Sequence, residues 1–156
     1  MDTDQQFVLF QLASASYAVA IASVQEIIRL PALTQVPHAL PHVVGITNLR
    51  GTIVPVLDLR QRCGFPAAEP TAATRVVVVQ QGCHSLGLIV DSVDEVTTIA
   101  ADSVQPVAAI VQDSGEQRLL LGVARLQDHL VLLLDLAKVV AQEDEHVNQL
   151  AAFDVA

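Results

Sequence analysis

The sequence is poor in aromatic and charged residues, and it contains no tryptophan. Aromatic residues make up 3% of the 156-residue chain and charged residues 16%, whereas apolar residues make up 52%. Such a composition excludes intrinsic disorder and predicts a single domain with an aliphatic core. The apolar runs are far shorter than the roughly 20 residues that span a bilayer, so no membrane insertion is expected.

Positive charge is also scarce. Lys and Arg number 8 against 17 Asp and Glu, which gives a formal net charge of −9. The negative electrostatic field of such a chain repels phosphate groups, so nucleic acid and anionic lipid are not expected partners. The two cysteines, Cys63 and Cys83, match no zinc or thioredoxin spacing. The acidic residues 1–4 are unlike the basic start of a signal peptide, so we expect a reduced, cytoplasmic protein.

The chain repeats itself. Residues 7–27 align without gaps on 76–96 at an offset of 69, and residues 45–59 align on 122–136 at an offset of 77. The identical pairs include Gln11/Gln80, Ser16/Ser85, Gly45/Gly122 and Asp58/Asp135. Two matches in the same order predict two similar lobes in tandem. We expect lobe 1 at about 13–70 and lobe 2 at about 75–140, with an exchange of the N-terminal strand between them allowed.

Short apolar runs separated by turn residues predict strands in both lobes. The runs cover residues 7–12, 17–21, 43–49 and 53–57 in the first copy, and 76–80, 86–90, 119–126 and 130–134 in the second. The dipeptides Arg50-Gly51 and Gln127-Asp128 stand where two hairpins would turn. Many short strands favour small barrels over helical layers, so the predicted fold class is mainly β.

Helical signals are few. Ser23-x-x-Glu26 and Ser92-x-x-Glu95 match the capping-box pattern, so each predicts the start of a short helical turn. Asp58 and Asp135 follow predicted strands and have the chemistry of helix N-caps. A C-terminal helix is predicted over residues 136–150.

No catalytic, cofactor or metal site is predicted. Asp58 and Asp135 are equivalent acids of the two copies, as in an aspartic protease, but neither belongs to the Asp-Thr/Ser-Gly loop of that class. Helix capping is therefore the preferred interpretation, with an acid hydrolase as the remote alternative. His38 and His42 are flanked by prolines and have no third ligand nearby, so exposed loop histidines are preferred over a metal site.

The two predicted hairpin turns differ. The first reads Asn48-Leu49-Arg50-Gly51, whereas the second has an arginine, leucine, glutamine and aspartate in the same order. Gly51 permits a positive φ, so Arg50 projects from a fixed turn. Its guanidinium can bind the carboxylates or carbonyls of a partner. An ordinary solvated arginine is the alternative interpretation.

Residues 45–60, Gly-Ile-Thr-Asn-Leu-Arg-Gly-Thr-Ile-Val-Pro-Val-Leu-Asp-Leu-Arg, closely resemble the signature of CheW-like domains. Residues 24–27, 87–93 and 122–126 fit the same family, and the resemblance runs from about residue 7 to 140. It implies one domain over 1–156, built from two tandem SH3-like, five-stranded β-barrel lobes with a C-terminal helix.

The resemblance also implies a non-enzymatic adaptor. Members of this family couple chemoreceptors to the histidine kinase CheA: one lobe binds the kinase's regulatory domain, and the receptor's cytoplasmic tip docks between the lobes. The implied location is the cytoplasm, at receptor arrays on the inner membrane. The output stays open between chemotaxis and a related array that controls type IV pili or another response.

The resemblance assigns partner binding to specific residues. Arg50 and its turn neighbours Asn48 and Gly51 match the family's turn, and Val24 and Glu26 match a second segment implicated in these contacts. For Glu26 the alternative is the capping box, and for Val24 it is core packing. The second copy shares the capping-box pattern and the packing residue, whereas it has no arginine in the place of Arg50. Arg50 is therefore the more specific prediction of a partner-binding residue.

Overall fold

A computed structural model describes residues 5–39, 42–106 and 119–139 of the chain. These residues form a short helix, α1 (Leu59–Arg62), and the following strands: β1 (Gln5–Leu12), β2 (Ala15–Ala20), β3 (Val24–Arg29), β4 (Val43–Leu49), β5 (Thr52–Asp58), β6 (Arg75–Gln81), β7 (His84–Val90), β8 (Ser92–Ile99), β9 (Val104–Gln105), β10 (Leu120–Leu126) and β11 (His129–Leu134). Two 3₁₀ turns, Ile21–Ser23 and Ala101–Ser103, precede β3 and β9. Within the described residues, no helix has the length and apolar character needed to cross a membrane.

The strands form two sheets, one with the order β8-β1-β2-β11-β10-β9 and one with the order β3-β6-β7-β5-β4. We call the corresponding units the six-stranded lobe and the five-stranded lobe. The fold is mainly β with two SH3-like subdomains, which confirms the predicted class. The sixth strand, β9, has only two residues, and its counterpart in the other lobe is an isolated bridge between Thr34 and Ile46.

Each sheet combines strands from both halves of the chain. In the six-stranded lobe, β1 pairs with β8 on one side, and β2 pairs in parallel with β11 across the sheet. In the five-stranded lobe, β3 pairs with β6, and β5 pairs in parallel with β7. Strands β2 and β3, which are neighbours along the chain, therefore lie in different sheets.

The strand registers reproduce the internal repeat. Phe7 lies opposite Ala20 in the β1–β2 pair, and Val76 lies opposite Ile89 in the β6–β7 pair, which is the same pairing shifted by 69 residues. The β4–β5 and β10–β11 pairs are likewise related by 77 residues, and both have a register shift at the same place. The duplication inferred from the sequence is thus confirmed at the level of individual strand pairs.

Polar residues that are identical in the two copies cross-link neighbouring strands. Gln11 donates from Nε2 to Ser16 Oγ at 3.2 Å and to Asp94 Oδ2 at 2.7 Å, which joins β1, β2 and β8. A counterpart network in the five-stranded lobe joins β3, β6 and β7 through the side chains of Gln25, Gln80 and Ser85. These hydrogen bonds give the repeated Gln and Ser a structural role in both lobes.

The largest apolar cluster draws side chains from both sheets, so the lobes share a seam. Phe10 and Tyr17 stack in it with ring centroids 6.1 Å apart. Its other buried members are Val8, Leu12, Val19, Leu57, Leu59, Val77, Val79, Leu86, Leu88, Val90, Leu119, Leu134, Leu136 and Val139. Two smaller clusters lie within single lobes. The seam is therefore built almost entirely from aliphatic side chains, as the composition requires.

The two predicted capping boxes are wrong. Ser23 ends a 3₁₀ turn and Glu26 lies on strand β3, while Ser92 and Glu95 both lie on strand β8. Burial alternates along β3, but Glu26 occupies one of its inward positions and Ile27 one of its exposed positions. The apolar alternation that marks a half-buried strand is therefore absent, although the backbone is extended.

The predicted aspartate caps are confirmed. Asp58 Oδ1 accepts a hydrogen bond from the Arg60 amide at 3.1 Å at the start of α1. The Lys138 amide points to Asp135 Oδ1 at 3.4 Å, and the Val139 amide donates to the Asp135 carbonyl at 2.9 Å. Residues 136–139 are helical, and the remainder of the helix predicted over 136–150 lies outside the described residues.

Candidate functional site

The turn between β4 and β5 holds three of the predicted site residues. Arg50 and Gly51 have φ angles of 53° and 85°, the pattern of a type I′ hairpin turn. Asn48 Oδ1 accepts a hydrogen bond from the Gly51 amide at 2.9 Å. Asn48 and Gly51 thus shape the turn, and Arg50 is the side chain that this turn presents.

Arg50 forms a bidentate ion pair with Glu26. Its Nη1 lies 2.5 Å from Glu26 Oε2, and its Nη2 lies 2.8 Å from Oε1. The Glu26 side chain is 21% exposed, whereas the Arg50 side chain is 75% exposed. Glu26 lies on β3, one terminal strand of the five-stranded sheet, and Arg50 lies in the turn that follows β4, the other terminal strand, so the pair connects the two ends of that sheet. The fold therefore brings two predicted site residues into direct contact.

Val24 occupies a different environment from Arg50. It is partly buried and packs against the seam cluster, and it lies opposite Val79 in the β3–β6 pair. Its counterpart in the repeat, Val93, packs against the same cluster. Val24 therefore has a packing role that both copies share.

The second hairpin has a similar turn but a different charge. Gln127 stands in the place of Arg50 and has the same φ of 53°. Glu95 stands in the place of Glu26. Since Gln127 carries no charge, the six-stranded lobe has no counterpart of the ion pair. The two turns differ at three of their four positions, and the one difference that removes the ion pair is Gln127 in place of Arg50.

The sequence patterns did not indicate an exposed isoleucine that lies close to the turn along β5. Ile53 lies opposite Asn48 in the β4–β5 pair and is 60% exposed. Its counterpart, Leu130, is 56% exposed. The signal that could have found them is an aliphatic residue at the same place after each hairpin turn. Ile53 adds exposed apolar area to the strand that follows the Arg50 turn.

A second charged contact lies between the lobes. Arg60 Nε donates to Asp91 Oδ1 at 3.0 Å and to Oδ2 at 3.2 Å, and Asp91 Oδ2 also accepts from the Ala13 amide at 3.0 Å. The hydrogen bond to Asp91 raises the pKa of Arg60. Burial raises the pKa of Asp91, but the hydrogen bonds from Arg60 and Ala13 outweigh it, so the net pKa is below its ordinary value. This contact ties α1 to the β1–β2 turn.

Arg62 links the lobes from a buried position. Only 8% of the residue is exposed. Its Nε donates to the Val139 carbonyl and its Nη2 to the Lys138 carbonyl, each at 3.0 Å. These bonds hold the helical turn after β11 against α1.

The described residues offer little for catalysis or metal binding. Asp58 and Asp135 serve as helix caps in their separate lobes. Within residues 5–39, 42–106 and 119–139, no group of three or more His, Cys, Asp or Glu residues could hold a metal ion. The turn presents an exposed cation, and an exposed aliphatic side chain follows three residues later along the hairpin.

Known proteins resemble the chain through both lobes. The CheW-like domain family matches residues 6–144. The chemotaxis protein CheW of Rhizobium meliloti (strain 1021) is 31% identical over 140 residues, which cover 90% of each chain. The chemotaxis protein CheW of Klebsiella aerogenes is 29% identical over 140 residues, which cover 90% of this chain and 84% of that protein.

A solved structure agrees with these sequence matches. The crystal structure of the scaffolding protein TtCheW from Thermoanaerobacter tengcongensis superposes with a TM-score of 0.78 at 29% identity, and the match covers 87% of both chains. Sequence and fold therefore point to the same family, across both lobes. The chain belongs to the CheW-like domain family, whose members are non-enzymatic chemotaxis scaffold proteins.

Proposed function

We propose that this protein couples chemoreceptors to a CheA-type histidine kinase by binding both. The observation that carries the proposal is the family match over residues 6–144, which includes both lobes and the turn at Arg50. The proposed partners are the kinase's regulatory domain and the receptor's cytoplasmic tip. The proposed location is the cytoplasm, at receptor arrays on the inner membrane.

The proposed partner-binding surface is centred on Arg50. The ion pair with Glu26 uses one N–H on each terminal nitrogen, so the remaining N–H groups of this largely exposed guanidinium are available to a partner. A bidentate partner holds the planar group in one orientation, which lowers the entropy lost when a second carboxylate or carbonyl binds. Glu26 is thus a positioning residue in this proposal.

The other site residues have supporting parts in the proposal. Asn48 and Gly51 keep the turn in the conformation that presents Arg50. Val24 anchors β3, and with it Glu26, against the seam between the lobes. Ile53 supplies exposed apolar area on the strand that follows the turn. A partner surface with a carboxylate next to an apolar patch would match this arrangement.

A binding titration with a matched control tests the proposal. Purified receptor cytoplasmic fragment and kinase regulatory domain from the same cell are each titrated with the wild-type protein and with Arg50→Glu. We expect saturable binding to both partners. We expect Arg50→Glu to weaken binding by about tenfold or more, which corresponds to about 1.4 kcal/mol. Gln127→Glu alters the same turn position in the other lobe and is expected to bind as the wild type does.

A charge swap separates direct contact from a structural effect. The double variant Arg50→Glu with Glu26→Arg restores an ion pair within the lobe but moves the cation from the turn to β3. If Arg50 contacts the partner, binding stays weak in this variant. Recovery of wild-type affinity would show that only the internal pair matters. Failure of the folded wild type to bind either partner would refute the proposed function itself.

A further inference from the structure

Two of the eight cationic residues of this acidic chain face each other at one end of a strand pair. In the β3–β6 pair, Arg29 lies directly opposite Arg75. Directly opposed residues of an antiparallel pair project from the same face with their Cβ atoms about 4.5–5.5 Å apart, and like charges at this spacing destabilise the sheet. The pairing of these two arginines is therefore a cost to the fold unless an anion lies against both of them.

The other lobe shows that the fold does not require this pair of charges. At the offset of 69, Arg29 corresponds to Thr98 and Arg75 corresponds to Gln6. Thr98 and Gln6 are also directly opposed, in the β1–β8 pair. Two neutral residues thus occupy the same place in the duplicated fold. The paired positive charge is a property of the five-stranded lobe alone, and the architecture that both lobes share does not explain it.

No carboxylate of the described residues neutralises the two arginines. Neither Arg29 nor Arg75 belongs to an ion pair within this part of the chain. On the other side of Arg75, the neighbouring strand β7 contributes Val90. On the other side of Arg29 the sheet ends, because β3 is its terminal strand. The row across the sheet therefore consists of two arginines and a valine, with no counterion among the described residues.

Backbone carbonyls orient Arg75 and leave part of its guanidinium free. Its Nη1 donates to the Ala72 carbonyl at 2.9 Å and to the Thr74 carbonyl at 2.8 Å. These bonds use both hydrogens of Nη1, so the N–H groups of Nε and Nη2 have no partner among the described residues. Arg29 is exposed and donates no side-chain hydrogen bond to those residues. The two side chains together offer several N–H donors to an incoming acceptor.

We propose that Arg29 and Arg75 form a binding site for a carboxylate side chain of an acidic protein segment. A carboxylate has about four acceptor positions on its two oxygens, so it can accept hydrogen bonds from both guanidinium groups and offset their repulsion. Ile27 is 38% exposed and lies on the same face of β3 two residues before Arg29, where it supplies apolar contact area for the rest of the segment. The net charge of −9 repels long polyanions, which favours a short acidic segment over nucleic acid or a lipid surface.

Titration with a short acidic peptide tests the site without a receptor or a kinase, so its outcome is independent of the proposed coupling function. The probe is tetraglutamate with an acetylated N-terminus and an amidated C-terminus. Binding is followed at low salt through the backbone amide chemical shifts of the isotopically labelled full-length protein. We expect saturable shifts centred on Arg29 and Arg75, and none with the corresponding tetraglutamine peptide. Absence of saturable shifts with tetraglutamate, or equal shifts with tetraglutamine, would overturn the proposal.

The counterpart residues of the other lobe provide the variants for this titration. Arg29→Thr and Arg75→Gln each introduce a residue that the duplicated fold accepts at that place. Each should weaken binding of tetraglutamate by about tenfold, because one charged donor group is lost. Arg125→Gln removes the same charge from an exposed position on β10 and should bind as the wild type does. Equal weakening by Arg125→Gln would show that only the overall charge matters, and tighter binding of inorganic phosphate than of the peptide would refute the assignment to a carboxylate.

A double-mutant cycle with the same variants measures the repulsion between the two arginines. Urea unfolding of the wild type, Arg29→Thr, Arg75→Gln and the double variant is compared at low salt. We expect Arg29 and Arg75 to destabilise each other in the free protein, and we expect this repulsion to decrease when tetraglutamate is saturating. A coupling that is zero or favourable in the free protein would contradict the close approach of the two guanidinium groups on which the site depends.

Discussion

Replacing Arg50 by alanine is expected to destabilise the protein only slightly, although Arg50 joins the two ends of the five-stranded sheet. Alanine tolerates a φ of 53° about as well as arginine does, so the change removes the side-chain interaction and leaves the backbone cost nearly unchanged. The expected coupling between Arg50 and Glu26 is therefore that of the ion pair alone. A double-mutant cycle with Arg50→Ala, Glu26→Ala and the double variant measures this coupling.

The exposure of the pair sets the expected magnitude. Arg50 is 75% and Glu26 21% exposed, so water screens much of the attraction. Exposed ion pairs contribute about 0.2–1 kcal/mol, and the bidentate geometry places this pair toward the upper end. We expect a coupling of about 0.5–1 kcal/mol, or a shift in Tm of roughly 2–4 °C at most. The coupling should decrease in 1 M salt, where the screening length is about 3 Å.

Urea unfolding of the four proteins provides the measurement. Gln127→Ala with Glu95→Ala forms the matched cycle in the six-stranded lobe, where a coupling near zero is expected. A coupling above about 2 kcal/mol at Arg50 would refute the reasoning from exposure. It would also mean that weak partner binding by an Arg50 variant reflects a damaged lobe. A coupling of zero would show that the ion pair does not stabilise the fold.

Three further predictions concern the seam and the strand contacts. Gly122→Ala would place a Cβ 2.6 Å from the Gln105 carbonyl oxygen, so urea unfolding should show a loss of about 1–3 kcal/mol, and an unchanged midpoint would contradict this close approach. Arg62→Met should cost about 2–3 kcal/mol, because two carbonyls beside the seam lose their charged donor; a loss below about 0.5 kcal/mol would contradict that role. Asp91 has a lowered pKa in the folded state, so its stabilising contribution is complete above about pH 4 and is lost as the pH falls through the lowered pKa. Asp91→Asn should therefore flatten this part of the plot of Tm against pH, and an unaltered acid slope would show that another group is responsible.

Most strands and both hairpin turns could be predicted from the sequence because their signals are local. Apolar runs bounded by turn residues identified the strands around both hairpins, and Gly51 marked the first turn. The Ser-x-x-Glu pattern indicates a capping box only where a helix follows. At β3 and β8 the residues that follow form a strand, so the prediction was wrong there. At β3 a glutamate faces inward to meet an arginine of another strand pair, and no local pattern reveals that partner.

The candidate site was only partly visible in the sequence. The difference between the two copies at Arg50 and Gln127 singled out the turn residue. The contact of Arg50 with Glu26 spans 24 positions along the chain and depends on how the sheet curves to bring its terminal strands together. Ile53 was missed because an exposed isoleucine and a buried one look alike in a strand pattern. The Arg60–Asp91 contact was missed for a similar reason, since it joins elements that are distant in sequence.

The amino-acid sequence alone reveals the duplication, the positions of most strands, and the residue that the first hairpin turn presents. These properties follow from apolar periodicity and turn chemistry, which act between near neighbours. Three features depend on the tertiary structure: each sheet combines strands from both halves, Glu26 pairs with Arg50, and Arg62 joins the lobes. Such pairings are set by burying the apolar faces of both sheets in one seam, which is a property of the whole chain.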